Sequence, residues 1–182
     1  MMKNSKFTSG FTLIEILTAV SIFLVIMTIS TGSILGVFDA NRKSRTLKTA
    51  LSNLNLALES MSREMRFGSM YYCGPAELQT TLDCRPGESQ MSFSNQSNQF
   101  VTYKLNNSVI ERKVDYGASI HVTSPDTLID SLVFYVLDSV PVSGGNTGQA
   151  KVLIKIQGHV GSGNTRTDFT LQTLISQRQL DF

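Results

Sequence analysis

Glu15 is a lone carboxylate beside an apolar run. It sits in Gly10-Phe11-Thr12-Leu13-Ile14-Glu15-Ile16-Leu17, and the 23 residues from Ile16 to Phe38 carry no charge. A carboxylate in a membrane costs about 2.5–3.5 kcal/mol at a helix centre and less near the interface, so it marks a functional position and calls for a cationic partner. No basic residue lies within a turn or two on its C-terminal side. The plainer alternative is an interfacial Glu favoured by the positive end of a helix dipole. Cys73 and Cys84 stand eleven positions apart, flanked by Gly74-Pro75 and Pro86-Gly87. A disulfide closing that turn-rich loop would stabilise the fold by about 2–3 kcal/mol. Two free thiols or half of a metal site are the alternatives, but there is no Cys-x-x-Cys and no nearby His. His121 and His159 have neither a nucleophile elbow nor ligand spacing around them, and no phosphate loop or His-Glu-x-x-His occurs. Asp126 and Asp130 are carboxylates of the kind Ca²⁺ takes, although Asp126 after Ser124-Pro125 is more simply a turn residue. The expectation is a protein with no catalytic centre, no metal and no cofactor.

The elements that carry these residues follow from composition and periodicity. The chain has 182 residues, a net charge of +2 and 41% hydrophobic residues. That length suits one ordinary domain, and the charge is too small to argue for a nucleic-acid binder. Ten Phe and five Tyr exclude a disordered chain. As a helix, Ile16–Phe38 would span about 34 Å, enough for a hydrocarbon core of about 30 Å. A polar leader, Met1 to Gly10, precedes it with Lys3 and Lys6 as its only charges, as in a secretory n-region. The run exceeds the usual ~7–15-residue signal core, and Phe38-Asp39-Ala40 is a poor cleavage site, so the segment is expected to stay as an anchor.

Beyond Asp39, Leu47, Leu51, Leu54, Leu58, Met61 and Met65 recur at spacings of 4 and 3, widened by Ala50 and Ala57. That stripe predicts one helix from about Thr12 to Arg66, packed on a core and ended by Gly68. From residue 91 the chain reads as β. Strands are expected at Phe100–Leu105, Val109–Val114 and Ala118–Thr123, with Asn106-Asn107 as a tight turn. Leu132–Leu137 is apolar throughout, as in a central strand, and Pro141–Gln149 is a loop. Val152, Ile154 and Ile156 alternate with polar neighbours, as do Phe169, Leu171, Thr173 and Ile175. The result is an α+β protein, one long helix followed by a mainly antiparallel sheet.

Gly10-Phe11-Thr12-Leu13-Ile14-Glu15, with its basic leader and the apolar run behind it, resembles the prepilin cleavage and methylation motif of type IV pilins and type II secretion pseudopilins. The resemblance implies that a prepilin peptidase cuts between Gly10 and Phe11 and methylates the new amine of Phe11. It also implies a partner for Glu15, the N-terminal amine of a neighbouring subunit during assembly. The organisation implied is a leader (1–10), a transmembrane helix half (11–38) and a soluble pilin-like domain (39–182). Gly32 and Gly36 replace the helix Pro of many major pilins; a Gly-x-x-x-Gly pair suits close helix packing, though Gly is simply common in membrane helices. The hairpin Thr102–Arg112, with Tyr103 and Arg112, together with Leu132–Tyr135 and Phe169–Arg178, resembles minor pilins and J-type minor pseudopilins.

The implied function is structural: a minor subunit that initiates or caps a pilus or pseudopilus. Its partners would be prepilin peptidase, other pilin subunits, the inner-membrane assembly platform and membrane lipid. A DNA-capturing competence pilin is the second reading, but no basic stripe with interleaved aromatics supports nucleic acid as a ligand. A membrane-tethered extracytoplasmic enzyme is the third. One conflict stands. Arg42, Lys43, Arg45 and Lys48 follow the apolar run, and the positive-inside rule would hold them in the cytoplasm. The resemblance, and a persistent disulfide, place residues 39–182 outside.

Overall fold

The computed structural model describes residues 10–74, 83–139 and 148–178. Residues 1–9 of the expected leader (1–10) and most of the expected loop Pro141–Gln149 lie outside the described residues. The chain divides into two compact units, residues 1–42 and 43–182.

In the first unit, Gly10 to Thr12 precede the helix, and α1 (Leu13–Arg66) begins directly after them. The Thr12 carbonyl accepts the first two helical bonds, from the Glu15 N–H at 3.2 Å and the Ile16 N–H at 3.3 Å. The described residues of this unit are exposed throughout. Its hydroxyls turn inward on the helix itself. Thr18 donates to the Glu15 carbonyl, Ser21 to Leu17, Thr28 to Leu24, Thr31 to Met27 and Ser33 to Ile29, at 2.5–3.2 Å. Each such bond satisfies a polar group within its own helix, which is what a segment in hydrocarbon requires. α1 is long and apolar enough at its N-terminal end to cross a membrane.

In the second unit, the apolar stripe of α1 is its core face. Ala50, Leu54, Ala57, Leu58, Met61 and Met65 are buried, while Leu47 and Leu51 are half-buried. Eight strands follow among the described residues. β1 (Ser69–Cys73), β2 (Gln90–Ser94), β3 (Phe100–Asn106), β4 (Val109–Val114) and β5 (Ile120–His121) form one antiparallel sheet in sequence order. β6 (Thr127–Leu137), β7 (Lys151–Val160) and β8 (Thr167–Ser176) form a second antiparallel sheet. The core draws on all three layers: Leu54, Met61 and Met65 from α1, Tyr71, Phe93 and Tyr103 from the first sheet, Phe134, Ile154 and Ile175 from the second. Tyr71, Phe93 and Tyr103 stack in sequence with centroids 5.9 and 6.2 Å apart. One long apolar helix followed by antiparallel sheets is the pilin-like α+β arrangement.

Several local expectations need correction. The sheet is two sheets, and β1 was not foreseen, because Ser-Met-Tyr-Tyr-Cys lacks clean alternation. The hairpin turn is Asn107-Ser108, one residue later than expected; Asn106 still pairs with Val109. Asn107 and Ser108 both have positive φ, 47° and 61°, as a two-residue type I′ turn demands. The strand expected over Ala118–Thr123 shrinks to Ile120–His121. The Thr123 hydroxyl takes the Ile110 N–H at 3.0 Å, ending the ladder.

The run Leu132–Leu137 is not the middle of its sheet; β7 is. Its apolar outer face, Val133 and Tyr135, is half-buried because the segment carrying Gly87 lies on it. A Cβ at Gly87 would sit 2.6 Å from Val133 and 2.7 Å from Tyr135. Gly68 follows the end of α1, but not with the left-handed backbone of a usual helix cap; its φ is not positive. It is small because a Cβ there would lie 2.5 Å from the Phe93 ring.

Candidate processing and assembly site

Gly10, Phe11 and Glu15 fall within six residues at the start of α1. Gly10 and Phe11 are outside the helix and exposed, Phe11 by 79%. A Cβ at Gly10 would meet nothing within 4 Å, so nothing in this chain's own packing asks for glycine there. Exposed, non-helical backbone is what a protease needs, since a peptide bond must leave helical geometry to enter an active site. Glu15 is the third residue of α1. It is exposed, and a carboxylate in a first helical turn is favoured by the unpaired N–H groups and dipole at that end. Thr12 and Glu15 have the spacing of a capping box. The placement accounts for Glu15 as the carboxylate of a helix start.

The second unit holds a polar cluster that sequence reasoning saw only in part. Tyr103 on β3 and Arg112 on β4 are cross-strand partners. Both reach Glu64 on α1. The Arg112 Nε donates to Glu64 Oε2 at 2.9 Å, a second guanidinium nitrogen donates to Oε1, and the Tyr103 hydroxyl donates to Oε2 at 2.6 Å. Burial raises the Glu64 carboxyl, but the hydrogen bonds from Arg112 and Tyr103 and the Arg112 charge outweigh it, so its pKa is lowered. Burial and the Glu64 carboxylate push the Tyr103 hydroxyl well up, and the Arg112 guanidinium is raised chiefly by its bond to Glu64. This is a forked ion pair, fixing α1 to the β3–β4 hairpin. Glu64 was missed because it reads as one more polar position on the solvent side of the helical stripe.

Cys73 and Cys84 are joined by a disulfide, with Cα atoms 6.0 Å apart. Beyond it the chain lies along β6. The Cys84 N–H donates to the Val136 carbonyl, and Glu88 and Phe134 exchange both backbone bonds, at 2.8–2.9 Å. The Asp83 carboxylate accepts from the Ser139 N–H at 2.9 Å and hydroxyl at 2.8 Å. Burial raises its pKa, but those bonds prevail and the net shift is downward.

Asp126 and Asp130 do not converge. The Asp126 N–H faces the Ser124 hydroxyl in a turn. Asp130 faces the His159 Nδ1 at 2.9 Å and Arg166 at 3.9 Å. His121 lies 3.9 Å from Glu111, whose carboxyl is held low first by the Asn106 amide. Among the described residues no group of three or more His, Cys, Asp or Glu is placed to hold a metal.

A family model described as the prokaryotic N-terminal methylation motif matches residues 6–31. No curated protein matches, and no solved structure matches. The matched stretch covers Gly10, Phe11, Glu15 and most of the apolar run. The chain thus carries the N-terminal methylation motif of the type IV pilin and pseudopilin family, on a pilin-like α+β fold.

Proposed function

We propose that this chain is a prepilin-type structural subunit, made as a precursor and assembled into a pilus or pseudopilus after processing. The observation that carries the proposal is the methylation motif over residues 6–31, with its Gly10–Phe11 bond in exposed, non-helical backbone. Prepilin peptidase cuts that bond and methylates the new Phe11 amine. Lys3 and Lys6 leave with the leader, taking the whole excess of +2 with them. Residues 11–38 remain as the anchor in the cytoplasmic membrane, with residues 39–182 on the far side. There the disulfide persists, since that compartment is oxidising.

An α-amine is mostly protonated at neutral pH, and monomethylation keeps the charge. In an apolar filament core the amine of one subunit and Glu15 of its neighbour neutralise each other. Removing one partner of such a buried pair costs roughly 3–5 kcal/mol.

The hairpin bearing Tyr103 and Arg112, which resembles the corresponding unit of minor subunits, supports a minor role at initiation or capping. Mass spectrometry of the N-terminal peptide from cells with the processing enzyme tests the reading. The expected species begins at N-methylated Phe11. A mature protein that retains Met1, or one cut near Ala40, overturns it.

A further inference from the structure

Lys43, Arg45 and Lys48 are basic residues grouped within six positions of α1. All three are exposed. Among the described residues none of them forms an ion pair. They lie on α1 shortly after the apolar run that ends at Phe38. At about 1.5 Å rise per residue, they fall roughly 8–15 Å beyond it. The headgroup layer on each side of a bilayer is about 5–8 Å thick. Two features of helix geometry close the gap. Cα–Cβ bonds tilt toward the helix N-terminus, here toward the apolar run. Lys and Arg stems then extend along apolar surface and leave the charge in the polar layer.

The directions of the three side chains decide what they meet. At about 100° per residue, Arg45 and Lys48 point roughly 200° and 140° from Lys43 around the helix axis. A docked protein presents one face and needs charges on one side. A headgroup layer accepts charges on every side that the domain leaves open, and Arg45 stands at the margin of the groove that α1 shares with Asp126, Thr127 and Val160.

We propose that Lys43, Arg45 and Lys48 form a basic collar that binds anionic phospholipid headgroups around the helix. The proposal rests on the membrane anchorage read above. The collar holds the subunit at a fixed depth and offsets the electrostatic disadvantage of basic residues on that side of the membrane. It concerns the precursor and membrane-held subunit, before extraction into a filament.

The test is lipid selectivity. The full chain is reconstituted into phosphatidylcholine vesicles carrying spin-labelled phosphatidylglycerol or spin-labelled phosphatidylcholine. Electron spin resonance then reads the share of each label held at the protein. The comparison is with Lys43→Gln/Arg45→Gln/Lys48→Gln, whose exposed positions and good helix propensity keep α1 intact; the leader's Lys3 and Lys6 are common to both. The wild type is expected to favour the anionic label by at least about fivefold more than the variant does, since each of the three side chains removed is worth about that factor near an anionic surface. In 1 M NaCl, where the Debye length is about 3 Å, the difference should vanish. Equal selectivity in the two proteins overturns the proposal. So does a wild type without selectivity whose variant fails to co-purify with another subunit, which would assign the charges to a protein partner. A chain that enters no vesicle overturns the anchorage and the collar together; one that enters without selectivity overturns the collar alone.

Discussion

Glu64 joins the helix to the hairpin through bonds to Tyr103 and Arg112, partners 39 and 48 positions away. The hairpin pair was legible in the sequence, as a Tyr strand and an Arg strand around a turn. The carboxylate that completes the cluster was not, because nothing in local periodicity marks which polar helix residue a distant strand will meet. Glu64→Ala leaves Arg112 partly buried and unpaired and should cost about 2–3 kcal/mol, read as a lower thermal midpoint of the full chain in detergent. Arg112→Lys keeps the charge but loses the fork, and should cost less than Glu64→Ala.

The same carboxyl carries a pH dependence. Its folded pKa lies below the ordinary 4.5. Its stabilising contribution is therefore fully present above that value and is lost as pH falls through the lowered one. The stability gap between wild type and Glu64→Gln should narrow from pH 7 to pH 3 in urea unfolding.

At the scale of elements, long-period patterns were readable and short irregular ones were not. The apolar stripe placed α1 to within a residue, and alternation placed β7 and β8. Burial of one face is what made those patterns. The turn at Asn107-Ser108 slipped by one because Asn106 and Asn107 are equally good turn formers, and only the pairing of Asn106 with Val109 decides between them. Ser108 in the left-handed region bears a cost of about 1 kcal/mol. Ser108→Gly should relieve it, less about 0.5 kcal/mol of added chain entropy, for a small rise in thermal midpoint. The disulfide acts on a different element boundary, joining β1 to the segment on the edge of β6. Cys73→Ser with Cys84→Ser should lower stability by about 2–3 kcal/mol, measured by guanidinium unfolding of oxidised wild type against the double variant.

For the molecule as a whole, the most informative stretch was the shortest. Six residues and the run behind them carried the family resemblance, because a processing enzyme reads a linear motif and not a fold. Glu15→Ala should leave cleavage after Gly10 intact and abolish or sharply reduce incorporation into filaments; normal incorporation, read by shearing and immunoblot, would refute the pairing with a neighbour's amine. Gly32 and Gly36 have open space where a Cβ would be, so any demand for glycine there comes from outside the chain.

The segment from Cys84 to Glu88 on β6 has a consequence for growth. A sheet with two bare edges is a bifunctional monomer: it can add a neighbour on each side and propagate without limit. Here one margin of the β6–β8 sheet is occupied from within and tethered by a covalent bond, while β8 pairs among the described residues only with β7. Strand-to-strand contact through this sheet is monofunctional. Contact of that kind ends at a pair.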